Sequence, residues 1–272
     1  MTLTQKLIQK RYSGENMLID SHCHLNMLDL ELHDNSMGVV LDKAKALGVE
    51  KLLCVAVDLE HDAELKNLAE TYDNVFISAG VHPSDTPGTA LDYHRLKQQA
   101  QHNKVVAVGE TGLDYHYNKG DLTWQRERFR QQIQLGRELH KPIIIHTRDA
   151  KEDTIQIMRE EKIQECGAVM HCFTETWEMA QQAMDMGAYI SFSGIVTFKN
   201  AKQLQEVAQK MPLHRMLVET DCPYLTPIPY RGKPNQPGYT RYVAEFIAEL
   251  RNESFEQIAA QTTKNCEVLF GM

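Results

Sequence analysis

The amino-acid sequence predicts an α/β fold, a single-domain (β/α)8 TIM barrel. Short apolar and β-branched runs alternate with longer amphipathic segments along the chain, which is typical of repeated strand–helix–strand units. Eight such runs are present, and no Pro/Gly-rich linker separates them. The length of 272 residues is close to that of one such barrel, about 250 residues.

The apolar runs are the predicted strands, and the amphipathic segments between them are the predicted helices. An open doubly wound sheet is the alternative fold. Its first strand is expected to lead into a glycine-rich phosphate-binding turn, but this chain has His-Cys-His at 22–24. The predicted strands are 17–20, 49–57, 75–80, 105–110, 142–146, 167–171, 188–191 and 216–219. The predicted helices are 36–47, 62–72, 90–102, 123–140, 151–161, 176–186, 201–210, 241–251 and 255–270.

The composition of the chain limits where the protein is expected to be located and which kinds of molecule it is expected to bind. Residues 1–16 lack the apolar region of a secretory signal, and no run of about 18 apolar residues is present to span a membrane. We therefore expect a cytoplasmic monomer without membrane contact, with 1–16 as an extension of unknown role and 17–272 as the barrel. The net charge of −8 disfavours a broad basic surface for duplex DNA. A nuclease stays open, because bound cations can hold a phosphodiester locally.

His22 and His24 follow the first predicted strand. Residues two apart on a strand face the same side, so both imidazoles are expected to converge while Cys23 points away. The carboxyl ends of the strands in a barrel of this kind carry the active site. The other ionisable side chains at those ends are Glu110, His146, His171, Glu219 and Asp221.

Histidines and carboxylates grouped at one rim indicate a site for first-row divalent ions. Six ligands are too many for one catalytic ion with an open position, so two ions that share a carboxylate are the more economical arrangement. Glu110 is the expected bridge, because it lies between the two histidine pairs in strand order. Asp221 is expected to touch the first ion and to act as base, and Glu219 is a reserve candidate.

The residues resemble the TatD family of metal-dependent deoxyribonucleases, in the amidohydrolase-like barrel superfamily. The resemblance implies the same six ligands: His22, His24, Glu110, His146, His171 and Asp221. It also implies a DNA-cleaving hydrolase with Glu110 as bridge and Asp221 as base. The matching motifs are DSHCHL (20–25), GVHP (80–83), GETGLDY (109–115), HTRD (146–149), HCFT (171–174), SFSG (191–194) and ETDCPY (219–224).

The expected chemistry is attack of a metal-bound hydroxide on a phosphodiester, with two ions of Mg, Mn or Zn. His82 is a candidate to stabilise the leaving oxygen, and Arg148 and Arg231 are candidates to hold phosphate. The aromatic rings of Tyr115, Phe173 and Tyr224 are candidates to stack on an unpaired base. Single-stranded or frayed DNA ends are the expected substrate of this exonuclease, with RNA as an alternative.

A metal-dependent amidohydrolase or esterase is the competing function, for example a lactonase, a cyclic amidase or an aminoacyl-tRNA deacylase. The same metal chemistry attacks carbonyl carbon as well as phosphorus. Glu110 at the bridging position and Arg148 beside a ligand favour the phosphodiester. The thiols of Cys23, Cys172 and Cys222 are expected to face away from the ligands.

Overall fold

A computed structural model describes residues 17–272. Eight parallel strands stand in chain order in one sheet, which confirms the predicted (β/α)8 barrel. The predicted extension at 1–16 lies outside the described residues. The strands are β1 (Leu18–Cys23), β2 (Val49–Cys54), β3 (Val75–Ala79), β4 (Val105–Asp114), β5 (Ile143–Arg148), β6 (Ala168–Met170), β7 (Tyr189–Phe192) and β8 (Met216–Val218).

The helices lie within three residues of their predicted bounds, because their apolar spacing and caps are local signals. Side chains of Ser36, Asp92, Thr176 and Ser254 each accept a hydrogen bond from the backbone N–H three residues later and so begin a helix. Among residues 17–272, no helix is long and apolar enough to cross a membrane. The α-helices are α1 (Met37–Ala46), α2 (Asp62–Thr71), α3 (Tyr93–Ala100), α4 (Thr123–Leu139), α5 (Lys151–Glu160), α6 (Trp177–Asp185), α7 (Lys202–Lys210), α8 (Thr240–Arg251) and α9 (Phe255–Phe270).

Strand side chains alternate between two apolar layers. Ile19, Ala107, Ile144 and Val169 belong to a small buried cluster that fills the barrel interior, and Phe270 of α9 joins it. Their neighbours along the strands belong to a larger cluster between the sheet and the helices. Both faces of every strand are therefore covered, as a parallel sheet requires.

The ends of β1 and β8 meet where the barrel closes. The N–H of Asp221 donates to the carbonyl of His22 at 2.9 Å, and the N–H of His24 donates to the carbonyl of Cys222 at 2.9 Å. These two bonds hold the segment after β8 against the end of β1. The candidate metal ligands His22 and His24, near the start of the barrel sequence, therefore lie beside Asp221, near its end. We call this junction between β1 and the segment after β8 the seam.

Candidate metal centre

A bulge in β1 directs the first two histidines into the barrel mouth. Between Asp20 and Cys23, β1 has one residue more than the paired stretch of β2. An extra residue reverses which side chains point inward. Cys23 therefore packs in the outer core, whereas the Nε2 atoms of His22 and His24 converge to 3.3 Å. The expected orientation of this tripeptide is confirmed.

A second bulge, in β4, directs the Glu110 side chain into the barrel mouth. Between Val108 and Thr111, β4 has one residue more than the paired stretch of β5. The Glu110 side chain consequently points into the mouth and is only 3% exposed. The strand also continues to Asp114, four residues beyond its predicted end.

Four ligand atoms surround a first candidate ion position. Nε2 of His22 lies 3.5 Å from Oε2 of Glu110 and 3.7 Å from Oδ1 of Asp221. Nε2 of His24 lies 4.0 Å and 3.4 Å from the same two oxygens. Ligand atoms held tetrahedrally at metal–nitrogen distances of about 2.0–2.1 Å lie about 3.4 Å from one another. His22, His24 and Asp221 therefore form one compact group of ligand atoms, and Glu110 adjoins it through its contacts with both histidines.

The other oxygen of Glu110 faces a second group of histidines. Oε1 lies 2.8 Å from Nε2 of His171, 3.0 Å from Nδ1 of His146 and 3.4 Å from Nε2 of His82. One carboxylate thus presents one oxygen to each group, as a bridging ligand does. The Nε2 atom of His82 also lies on this side.

The histidines of the second group have partners at their other ring nitrogen. Nε2 of His146 lies 3.2 Å from Oδ2 of Asp114, and Nδ1 of His171 lies 3.3 Å from Oε1 of Glu219. Metal-binding histidines usually have such a carboxylate partner, which orients the ring and raises its basicity. Glu219, the reserve ligand, is placed behind His171 rather than in the mouth.

Carboxylates in this centre are held in their charged form. Burial raises the pKa of Glu110, but the facing histidines, above all His171, outweigh it and hold that pKa well below its usual range. Burial also raises the pKa of Asp221, but the hydrogen bond from His24 outweighs this effect, so the pKa is lowered overall. The centre consequently presents two negative charges to a cation.

The centre opens into a cavity of about 820 Å³ at the barrel mouth. Arg148 lines it with its guanidinium 4.7 Å from the ring centre of Tyr117, and Tyr117 and Tyr224 are 68% and 55% exposed. His82 also lines the wall, and its Nδ1 accepts a hydrogen bond from the N–H of Ser84 at 3.0 Å. Nε2 of His82 therefore carries the ring proton toward the centre.

Residues 19–271 match the family model described as TatD related DNase. The chain belongs to the TatD family. It is 50% identical to the metal-dependent hydrolase YcfH of Escherichia coli, over 93% of this chain and 95% of that protein. It is 33% identical to the 3'-5' ssDNA/RNA exonuclease TatD of Klebsiella pneumoniae, over 86% of this chain and 91% of that protein.

A solved TatD homologue, YjjV of Escherichia coli, has the same fold. The two structures superpose with a TM-score of 0.86 and 28% sequence identity, over 95% of this chain and 99% of that one. Family membership and the ligand clusters together make this chain a metal-dependent hydrolase that acts on ester bonds.

Asp114 is the site residue that the sequence prediction missed in this TatD-family chain. The predicted fourth strand ends at Glu110, so the prediction gives Asp114 no place on a strand. Asp114 is four residues further along the same strand and therefore faces the same side. The signal that would have identified Asp114 is a carboxylate an even number of residues after Glu110 on the same strand.

Three other predicted placements differ from the structure. Arg231 does not line the cavity, because its guanidinium packs 4.1 Å from the ring centre of Phe198. Phe173 is 1% exposed, so the prediction that it stacks on a base is wrong. Cys172 lines the cavity instead of facing away, because β6 ends at Met170 and Cys172 has a positive φ of 42°, where strand alternation no longer applies.

Proposed function

We propose that this TatD-family hydrolase cleaves phosphodiester bonds in DNA, with RNA as an alternative, and removes nucleotides from single-stranded or frayed ends. The observation that carries the proposal is Glu110, whose two oxygens face two groups of histidines beside a cavity lined by Arg148. Paired divalent ions suit in-line displacement at phosphorus. The printed name of the Klebsiella relative supports this substrate class.

Two divalent ions, of Mg, Mn or Zn, complete the proposed centre. When bound, such ions lower the pKa of a water molecule and polarise the phosphoryl oxygen under attack. Glu110 spans the two positions through its separate oxygens. The remaining proposed ligands are His22, His24 and Asp221 on one side, and His146 and His171 on the other.

Asp221 is the proposed general base. Its backbone N–H is bonded to the carbonyl of His22, so the closing seam of the barrel fixes the carboxylate beside the first ion position. Its lowered pKa keeps it deprotonated at neutral pH. It then accepts the proton of the attacking water.

His82 and Arg148 are the proposed substrate contacts at the reacting phosphate. Nε2–H of His82 points toward the centre and can donate to the leaving oxygen. Arg148 projects a guanidinium from the wall, and guanidinium forms paired hydrogen bonds with phosphate oxygens. The role predicted for Arg231 at the reacting phosphate has less support, because that side chain lies outside the cavity.

The test is release of nucleotides from single-stranded DNA by the purified protein with Mg²⁺, Mn²⁺ or Zn²⁺. We expect Asp221→Asn to lower kcat by about 10²–10⁴-fold, the usual contribution of a positioned base. Asp42→Asn, on the exposed face of α1, is the matched control and is expected to retain activity. EDTA is expected to abolish activity in both the parent and this control.

Parallel assays of RNA, lactones and generic esters distinguish the competing amidohydrolase. Hydrolysis of a lactone or amide without nucleotide release would replace the nuclease proposal. Unchanged nuclease activity in Asp221→Asn would identify a contaminating enzyme. The single-strand preference, the monomeric state and the cytoplasmic location stay predictions from the sequence.

A further inference from the structure

Charge is distributed unevenly among the loops at the carboxyl end of the barrel. The loop between β7 and α7 (193–201) contains no carboxylate. The loop from β8 to α8 (219–239) has two, Glu219 and Asp221, both at the metal centre, and its remaining part, 222–239, has none. In a chain with 37 acidic and 29 basic residues, this is a local exception. Each of the other six strand-to-helix loops contains at least one acid, represented by Asp29, Asp58, Asp85, Asp121, Asp149 and Glu175.

The two acid-free stretches, 193–201 and 222–239, present exposed cations. Lys199, Arg231 and Lys233 lie in them, and Lys202 begins α7 directly after the first. Within residues 17–272, none of these four side chains forms an ion pair or a hydrogen bond. Arg231 instead packs on an aromatic ring, which leaves its N–H groups free. Unpaired cations of this kind retain their full charge for a ligand.

Packing joins the two loops into one surface beside the cavity. The N–H of Ile228 donates to Oγ1 of Thr197 at 2.9 Å, so the loops are bonded to each other. Ile195 of the first loop and Tyr224 and Leu225 of the second line the cavity. A ligand that extends out of the cavity on this side therefore meets the cations next.

Aromatic rings lie beside two of these cations. Nζ of Lys233 lies 5.7 Å from the ring centre of Tyr230, and the Tyr230 ring stacks on Tyr239 with centroids 4.6 Å apart. Cations that contact the backbone and rings that stack on bases are the features with which proteins bind single strands without sequence preference.

We propose that these loops form a strand track, defined as Lys199, Lys202, Arg231 and Lys233 with their neighbouring aromatic rings. The track binds the part of a single-stranded polynucleotide that continues beyond the nucleotide in the cavity. This proposal rests on the proposed function, since it assigns the path of the remaining strand. The track also places positive charge on one side of the barrel mouth, so a protein of net negative charge can bind a polyanion there.

The test measures equilibrium binding of a labelled single strand of about twelve nucleotides in an Asp221→Asn background, in which turnover is expected to be slow. We expect Lys199→Glu/Lys202→Glu to raise Kd about tenfold and to reduce the dependence of binding on salt by about one logarithmic unit per decade. Lys233→Glu is expected to act in the same direction. The matched control is Lys162→Glu/Lys264→Glu, exposed positions away from the mouth, and it should retain the parent Kd.

A second readout uses the active enzyme. The ratio of kcat/KM for the long strand to kcat/KM for a dinucleotide is expected to fall in the Lys199→Glu/Lys202→Glu variant and to stay constant in the control. Equal Kd values for track and control variants, or no binding of the strand by the parent, would overturn the track. If the track variants weaken binding but the parent hydrolyses no nucleic acid, the track stands and the proposed nuclease function fails.

Discussion

Asp114 acts through another residue rather than on substrate. Its Oδ2 lies 3.2 Å from Nε2 of His146, while its Oδ1 accepts hydrogen bonds from the backbone N–H groups of His116 and Tyr117. These two N–H groups hold the Asp114 carboxylate in place. The carboxylate in turn orients the imidazole of His146, whose Nδ1 faces Glu110. We interpret Asp114 as a positioning residue for the second ion.

Asp114→Asn is therefore expected to weaken binding of the second ion by about 10–100-fold, the usual cost of losing a carboxylate behind a metal-binding histidine. Calorimetric metal titration measures this loss. Asp58→Asn removes the carboxylate from another Asp–His pair, with His61 at 2.7 Å. Neither residue lines the cavity, so this variant is the matched control. Two unchanged binding steps in Asp114→Asn would contradict the positioning role.

At the scale of elements, the two bulges decide which side chains enter the mouth. β4 and β5 approach so closely after the second bulge that a Cβ on Gly112 would lie 2.0 Å from the carbonyl oxygen of His146. Gly112 also has φ of 138°, a conformation that residues with a Cβ rarely adopt. The strand pair that carries Glu110 and His146 therefore requires glycine at this position.

Gly112→Ala is expected to destabilise the fold by about 3 kcal/mol or more, through backbone strain and collision with β5. Gly38→Ala in α1 is the matched control, because its Cβ would meet only Oγ of Ser36 at 3.5 Å. That change is expected to stabilise by about 0.5–1 kcal/mol. Urea unfolding followed by circular dichroism measures both, and equal effects would contradict the interpretation of this strand pair.

The sequence predicted the elements well because each apolar run and each cap is a local signal. The six metal ligands that it proposed stay a prediction, but the structure places their side chains together at the barrel mouth. The sequence did not predict the bulges, because an extra residue is visible only against the partner strand. For the same reason β4 was ended too early and Asp114 was missed. The position of Arg231 depends on packing between two distant loops, which no local pattern encodes.

At the scale of the whole molecule, the proposed ligands come from β1 and the residue after it, from β4 and β5, and from the segments after β6 and β8. An ion held by several strands stabilises the folded barrel relative to the unfolded chain. The gain is about 2.7 kcal/mol when free metal is at about 100 times its Kd.

Addition of EDTA to the metal-loaded protein is expected to lower Tm by about 5 °C or more. His22→Ala should show a smaller metal-dependent shift because it removes one ligand of the first ion. His61→Ala, an exposed histidine outside the centre, should keep the full shift. Differential scanning calorimetry measures these values, and a Tm that is independent of metal would argue against ions shared between strands.

The seam between β1 and β8 has a consequence for synthesis of the chain. His22 is among the first described residues to leave the ribosome, and Asp221 is made only after all eight strands. The first ion position is therefore incomplete throughout most of translation. We therefore expect a partly made chain to lack a complete metal centre until the segment after β8 has joined the end of β1.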